Sequence, residues 1–334
     1  MNEYEVVNKT FVKSHNKTSK IINRYFYSLI AFIILTIISY FVFKKTNLVL
    51  PLLKQLSLSF LIASILDYFV NIIFKRYSFI DIYKKDSIHI ISLIIGLIAT
   101  NVKISILTLA ILVTIIIKKK YKDIDLSASL YGILLIILYK YFNHDLVTPL
   151  TTFKEMSFTG TYEEIIKNNG GFISYLIGTN YLSPLISILC FIYLFHKKSI
   201  KYSLVFSYII TFSTIMLLYG LFNKMNIWFL FFELTTGSIL FLTVYTLTDF
   251  KVTPTINEGQ VLYGIILGII SAVLRFIIPE LAIIVPFIIG PIILTKQIEK
   301  LSPKLKYNKR FYNISLLLCT LLTIATVVVL IIMK

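Results

Sequence analysis

Long apolar stretches recur from one end of the chain to the other, and no other feature constrains the fold as strongly. They lie near 22–43, 49–74, 87–101, 103–117, 126–142, 181–196, 201–223, 226–248, 258–277, 279–295 and 311–333. A helix that crosses a bilayer needs about 20 predominantly apolar residues. The spacing therefore predicts an all-α polytopic membrane protein with about 10–11 transmembrane helices. Several segments are short for a full crossing, 87–101 and 103–117 above all. Such pieces read as half-helices or broken spans that neighbouring helices bury.

Composition excludes the other classes. Hydrophobic residues make up 57% and charged residues 15%, against about 45–50% and 25% in a soluble domain. Too little polar surface is left to coat a water-soluble particle. The formal net charge of +17 would suggest nucleic acid in a soluble protein. Here the cations stand in runs between apolar segments, such as Lys118, Lys119, Lys120 and Lys122, so they read as topology signal and no nucleic-acid partner is expected. Cys190 and Cys319 both lie in apolar stretches, without a C-x-x-C pair or a plausible zinc set, so no metal site is expected. Residues 1–21 are polar and basic, and the first apolar run is too long for a cleaved signal peptide.

Placing the N-terminus in the cytoplasm puts most Lys and Arg residues in cytoplasmic segments, from Lys75, Arg76, Lys84 and Lys85 through to the 296–310 region. The expected location is the cell membrane. Five expected domains follow. They are a cytoplasmic segment 1–21, a first membrane repeat 22–142, an external loop 143–180, a second membrane repeat 181–298, and a basic cytoplasmic linker with a C-terminal transmembrane helix, 299–334. Five helices on each side of a long external loop give two halves of opposite orientation, the arithmetic of an inverted repeat. A faint echo exists between Leu97-Ile-Ala-Thr-Asn101 and Tyr245-Thr-Leu-Thr-Asp249.

Two regions carry candidate chemistry. The external loop opens with Asn143-His-Asp-Leu-Val-Thr-Pro-Leu150; on local chemistry this is a helix end and a turn, with Asp145 as cap and Pro149 forcing extended backbone. The second region runs from Glu233 through Thr248-Asp249 and Thr253-Pro254 to Gly259, Tyr263, Gly264 and Arg275. Its plain reading is a helix–turn–helix connection. Asp67 and Glu233 fall within apolar segments, where a carboxylate costs about 2.5–3.5 kcal/mol on insertion scales. They are ion-path candidates, unless each lies near a helix end, is protonated, or pairs with Lys54 or Lys140. His144 and His196 flank helix ends and read as solvated or capping residues.

The second region resembles the membrane subunits RnfD and NqrB, of the Rnf electron-transport complex and the sodium-pumping NADH:quinone oxidoreductase. The family pattern looks like T-D-x-x-x-S-P-x-x-x-x-G-x-x-x-Y-G, followed by a late Arg. Thr248, Asp249, Pro254, Gly259, Tyr263 and Gly264 stand at that spacing, with Thr253 in place of Ser and Arg275 after them. The resemblance covers about 10–298 and is clearest over 233–298. In that family a Thr of an external loop carries FMN through a phosphoester bond, in a motif similar to D-x-x-S-G-A-T-P-L. Asp145, Thr148, Pro149 and Leu150 are the matching residues, which makes Thr148 the flavin-bearing candidate. The S-G-A triplet is absent, and Tyr121-Lys-Asp-Ile-Asp-Leu-Ser-Ala-Ser-Leu130 replaces the family's G-G-x-G-x-N-x-F-N-P-A box.

The resemblance implies a divergent membrane redox subunit of an ion-translocating oxidoreductase complex. It would carry covalent FMN on Thr148 and transfer electrons across or along the membrane, coupled to Na+ or H+ movement. Asp145, Pro149, Asp249 and Thr253 are the further cofactor-binding expectations, and a second, non-covalent flavin is another. Other membrane redox subunits, a flavin transferase and the lipid bilayer are the expected partners. The alternative is a secondary transporter or channel for a small solute, with no covalent cofactor.

Overall fold

A computed structural model of the chain describes residues 18–73, 87–99, 102–121, 124–142, 182–225, 228–235, 238–249, 252–278 and 281–332. Its regular structure among these residues is entirely helical. In chain order come α1 (Thr18–Val42), α2 (Val49–Ile73), α3 (Ile88–Ile98), α4 (Ile104–Lys120) and α5 (Ser129–Phe142). Next are α6 (Pro184–His196), α7 (Tyr202–Phe222), α8 (Trp228–Thr235), α9 (Ile239–Leu242) and α10 (Asn257–Ile277). The last are α11 (Ile284–Ile289), α12 (Thr295–Tyr307) and α13 (Lys309–Ile332). Each of the eleven apolar segments holds a helix. The protein is a multi-pass membrane protein of the all-α class.

Among the described residues five helices are long and apolar enough to cross a membrane by themselves, and α8 with α9 makes a sixth if the bent pair is one span. The two parts stand 48° apart, and Ser238 enters α9 with φ 61°. The other apolar helices are shorter, as with Ile88–Ile98 and Pro184–His196. Large apolar side chains on α2 and α13, such as Leu61, Ile65, Leu318 and Leu321, are more than half exposed. In water this would be unstable; in a bilayer it is the lipid-facing surface.

Two helices pass through a π-helical turn, Thr243–Leu247 after α9 and Gly290–Leu294 after α11. A π turn widens the helix and loosens its carbonyl ladder. The threonines here compensate. Thr243, Thr246 and Thr248 donate to the carbonyls of Ile239, Leu242 and Val244 at 2.6–2.7 Å, and Thr295 donates to the Gly290 carbonyl at 3.3 Å.

Three helices end alike. Lys44, Lys198 and Lys224 each have φ between 53° and 56°. The amide after each reaches back to the carbonyl five residues earlier: Lys45 to Tyr40, Ser199 to Leu194 and Met225 to Gly220, at 2.8–3.0 Å. This is the Schellman closure, which usually places glycine at the left-handed position. A lysine there meets the opposite need, a positive charge at the negative end of the helix dipole.

α7 and α10 share the largest helix–helix contact among the described elements. Gly264 and Gly268 of α10 make it possible. A Cβ on Gly264 would stand 2.7 Å from the Leu204 carbonyl oxygen and 3.0 Å from the Tyr208 amide nitrogen; one on Gly268 would stand 2.9 Å from Thr211 Cβ. The small-xxx-small spacing lets the two backbones touch.

Within 299–334 the stretch before the last helix is itself helical. The segment read as a basic linker is largely α12, a helix that continues to Tyr307 with Pro303 inside it. Its lysines and proline masked an amphipathic pattern, in which Ile298 and Leu305 are buried.

Candidate functional site

Polar side chains collect at one end of the bundle, where α1 begins and α6 ends. Arg24 of α1 donates to the Lys197 carbonyl (2.6 Å) and to Ser199 Oγ (3.2 Å). Tyr25 Oη donates to the Ser199 carbonyl and is hydrogen-bonded to Thr248 Oγ1 at 2.8 Å. Ser28 and Tyr245 hydroxyls meet at 2.9 Å. Thr248 and Asp249 thus lie between α1 and the turn that precedes α7.

Asp249 is fully buried. Its Oδ2 accepts from the Asp125 amide (3.0 Å), the Ser127 amide (3.0 Å) and Ser127 Oγ (2.7 Å). Residues 126–128 form the 3-10 turn that leads into α5. The carboxylate therefore sits on the otherwise unsatisfied amides at a helix N-terminus, where the helix dipole favours negative charge. Asp125 is in turn ion-paired to Lys118 at 3.4 Å and accepts from Ser87 Oγ, which itself accepts from Lys118 at 2.8 Å. The Thr-Asp pair is thus tied to Asp125 and Ser127, just before α5.

Thr253 continues the arrangement. Its hydroxyl donates to the Asp249 carbonyl at 2.8 Å. Lys201 Nζ donates to Thr253 Oγ1 (2.6 Å), to the Thr253 carbonyl (2.9 Å) and to the Pro254 carbonyl (3.2 Å). Gln260 holds the Pro254 carbonyl from the other side at 3.1 Å, and Thr295 Oγ1 donates to the Val252 carbonyl at 2.6 Å. Residues 252–254 are thus held by the side chains of Lys201, just before α7, Gln260 of α10 and Thr295 of α12. Burial pushes the Lys201 ammonium down to about 8 from its ordinary 10.5; the nearby Asp249 and Glu299 charges oppose that shift. Sequence reasoning missed Lys201 because it stands among Lys197 and Lys198, whose run reads as topology signal.

The ion-path candidates are both paired. Glu233 is 1% exposed, and its Oε2 accepts from Arg275 Nε at 3.1 Å. Asp67 lies in the last third of α2, 2.5 Å from Lys119 Nζ, and Asn71 of the same helix also accepts from Lys119. Of the two lysines named above as alternative partners, Lys54 is exposed, and the side chain of Lys140 lies outside the described residues. The late Arg of the sequence pattern thus meets the Glu that opens it, at the end of α10 remote from Asp249.

Asp145, Thr148 and Pro149 lie outside the described residues. The chain enters their segment after Phe142, the C-terminal residue of α5. Asp249 holds the opposite terminus of that helix. Fourteen residues of helix separate the two ends by about 20 Å. Of the cofactor-binding candidates the structure describes Asp249 and Thr253, and both are internal to the polar end. Among the described residues no group of three or more His, Cys, Asp or Glu could hold a metal ion.

Residues 127–289 match the model of the NQR2, RnfD, RnfE family. Over that span, just under half of the chain, the sequence is similar to this family. The match begins at the residue that donates twice to Asp249 and encloses the 143–150 segment, the Thr-Asp turn and Arg275. No curated protein matches the chain. Within the matched span the geometry gives the motif residues definite tasks. Asp249 caps α5, Thr253 and Pro254 receive Lys201, Gly264 admits α7, and Arg275 neutralises Glu233.

Proposed function

We propose that the protein is an RnfD-like redox subunit that carries FMN on Thr148 and passes electrons across or along the membrane inside a multi-subunit complex. The observation that carries this reading is the family match over 127–289, which includes Asp145, Thr148 and Pro149 together with the Thr-Asp turn. Bound FMN supplies electron transfer. The chain supplies a rigid frame. Asp249 fixes the N-terminus of α5, and α5 leads directly into the segment that presents Thr148, so the staple at one end positions the exit at the other. Asp249 and Thr253 serve the cofactor through this scaffold. A second, non-covalent flavin, partner redox subunits, a flavin transferase and Na+ or H+ coupling belong to the same proposal. So do two inverted five-helix halves with α13 as an addition, and a cytoplasmic N-terminus in the cell membrane. Asp67 and Glu233 would enter an ion path by exchanging Lys119 and Arg275 for the ion.

The test is direct. Full-length protein is co-expressed with a flavin transferase, extracted, and examined for in-gel flavin fluorescence and intact mass. Wild type should fluoresce and carry the added mass of one FMN less water; Thr148→Ala should do neither. An unlabelled wild type, or a labelled Thr148→Ala, rejects the assignment. The 48° bend between α8 and α9 favours one second reading, a solute transporter. Uptake of a solute into vesicles without any electron donor would select it.

A further inference from the structure

α12 has no place among the crossing helices. It carries Lys296, Glu299, Lys300, Lys304 and Lys306 in thirteen residues, too many charges for the hydrocarbon core. Its direction follows from its contacts. Gly290, just before it, lies against Tyr263 of α10. Leu305, near its end, packs with Leu262 of α10 and Cys319 of α13. Leu262 and Tyr263 are neighbours, whereas fifteen residues of straight helix between Gly290 and Leu305 would span about 22 Å. α12 therefore turns across α10 and α13 instead of continuing out along the bundle axis.

Its two faces differ. Ile298 and Leu305, seven apart, are buried. Lys296, Lys300 and Lys304, spaced by four, form a stripe on the opposite face, and all three are exposed. Lys306, Lys309 and Arg310 extend the positive field, and Glu299 is the one acidic residue in 296–310. Apolar groups flank the stripe: Ile292 and Ile293 are about half exposed, Leu301 is 42% exposed and Tyr307 81%. A helix with a cationic face, an apolar margin and a membrane-spanning helix on each side is built to lie in the headgroup layer.

We infer that α12 lies in the membrane interface and that its Lys296–Lys300–Lys304 stripe, with Lys306, Lys309 and Arg310, binds the headgroups of anionic phospholipids. The occupant is fixed by charge complementarity and by place. The cations stand where α10 and α13 enter the bilayer, and the phosphates of that leaflet lie at the same level. Lipid held there braces α10, whose far end carries Arg275, against α13. The inference does not depend on flavin attachment.

Full-length protein in detergent is offered phosphatidylglycerol and phosphatidylcholine with the same acyl chains, and retained lipid is counted by native mass spectrometry. Wild type should prefer phosphatidylglycerol by about tenfold or more, as several lysines near the surface imply. Lys296→Gln/Lys300→Gln/Lys304→Gln should bring the two lipids close to parity, while Lys44→Gln/Lys224→Gln, at the other end of the bundle, should keep the preference. A measurement on wild type alone supports the same point: raising salt from about 0.1 to 0.5 M should cut the preference severalfold. Equal retention of both lipids by wild type, an unchanged preference in the triple variant, or displacement of the lipid by millimolar inorganic phosphate overturns the inference. Binding of an acidic protein to α12 without any lipid preference overturns it too.

Discussion

Replacing Asp249 tests its tie to the turn before α5. In Asp249→Ala the amides of Asp125 and Ser127 and the Ser127 hydroxyl lose their common acceptor in a site closed to water. An unsatisfied buried donor costs about 1–3 kcal/mol, and a carboxylate at a helix N-terminus contributes about 0.3–1 kcal/mol more. Mutual relaxation lowers the sum, so about 3–5 kcal/mol is expected. Asp249→Asn keeps one acceptor oxygen and loses the charge, for about 1–2 kcal/mol. The protein holds its own reporters, since Cys190 and Cys319 are free and buried. Thermal unfolding can be followed with a thiol-reactive fluorophore that labels them only as the helices part. At roughly 2 °C per kcal/mol for a chain of this size, Asp249→Ala should unfold about 6–10 °C below wild type and Asp249→Asn about 2–4 °C below. An alanine variant within 1 °C of wild type would refute the staple. So would an asparagine variant as damaged as alanine, because the hydrogen-bond geometry would then count for nothing.

Three further outcomes are expected. Gly264→Ala should force α7 and α10 apart and cost about 1–3 kcal/mol, whereas Gly220→Ala, whose added carbon meets the Phe229 ring edge at 3.1 Å, should cost under about 1 kcal/mol; the same fluorophore assay separates them. Arg275→Met should destabilise by about 3–5 kcal/mol by leaving Glu233 unpaired, and Glu233→Gln/Arg275→Met should recover much of that loss, a coupling read from a double-mutant cycle. Lys201 has a folded pKa below its unfolded value, so the unfolded chain binds more protons between about 8 and 10.5 and the folded state gains as pH rises through that window. Unfolding midpoints of wild type and Lys201→Met from pH 7.5 to 10 should diverge in favour of wild type at up to about 1 kcal/mol per unit, and parallel curves would contradict it.

Hydropathy made the helices legible because burial in lipid demands unbroken apolar length, and every expected segment holds a helix. It could not show where helices stop being straight. Nothing in Thr236-Gly237-Ser238 distinguishes a 48° bend from an ordinary small-residue patch, and the π turns leave only a sprinkling of threonines that resemble any others. α12 was illegible for the opposite reason, since its charges outweigh its two buried apolar positions. At the candidate site the Thr248–Arg275 pattern pointed to residues that matter, but their partners are remote in sequence. Ser127 stands 122 positions from Asp249, and Lys201 stands 52 from Thr253. Such contacts follow from which helices neighbour one another, which one sequence does not specify. Glu233 and Arg275 each stand out in the sequence, yet their pairing needs the end of α10 to be brought to α8.

The lysines that close α1, α6 and α7 carry a consequence for how these corners tolerate replacement. A left-handed backbone costs an ordinary L-residue about 1 kcal/mol relative to glycine, so Lys44→Gly, Lys198→Gly and Lys224→Gly would each relieve strain at a turn. Each would also take a cation from the negative end of a helix dipole, a loss of about 0.3–1 kcal/mol. The two terms offset, so glycine at these corners leaves the fold about as stable as lysine does.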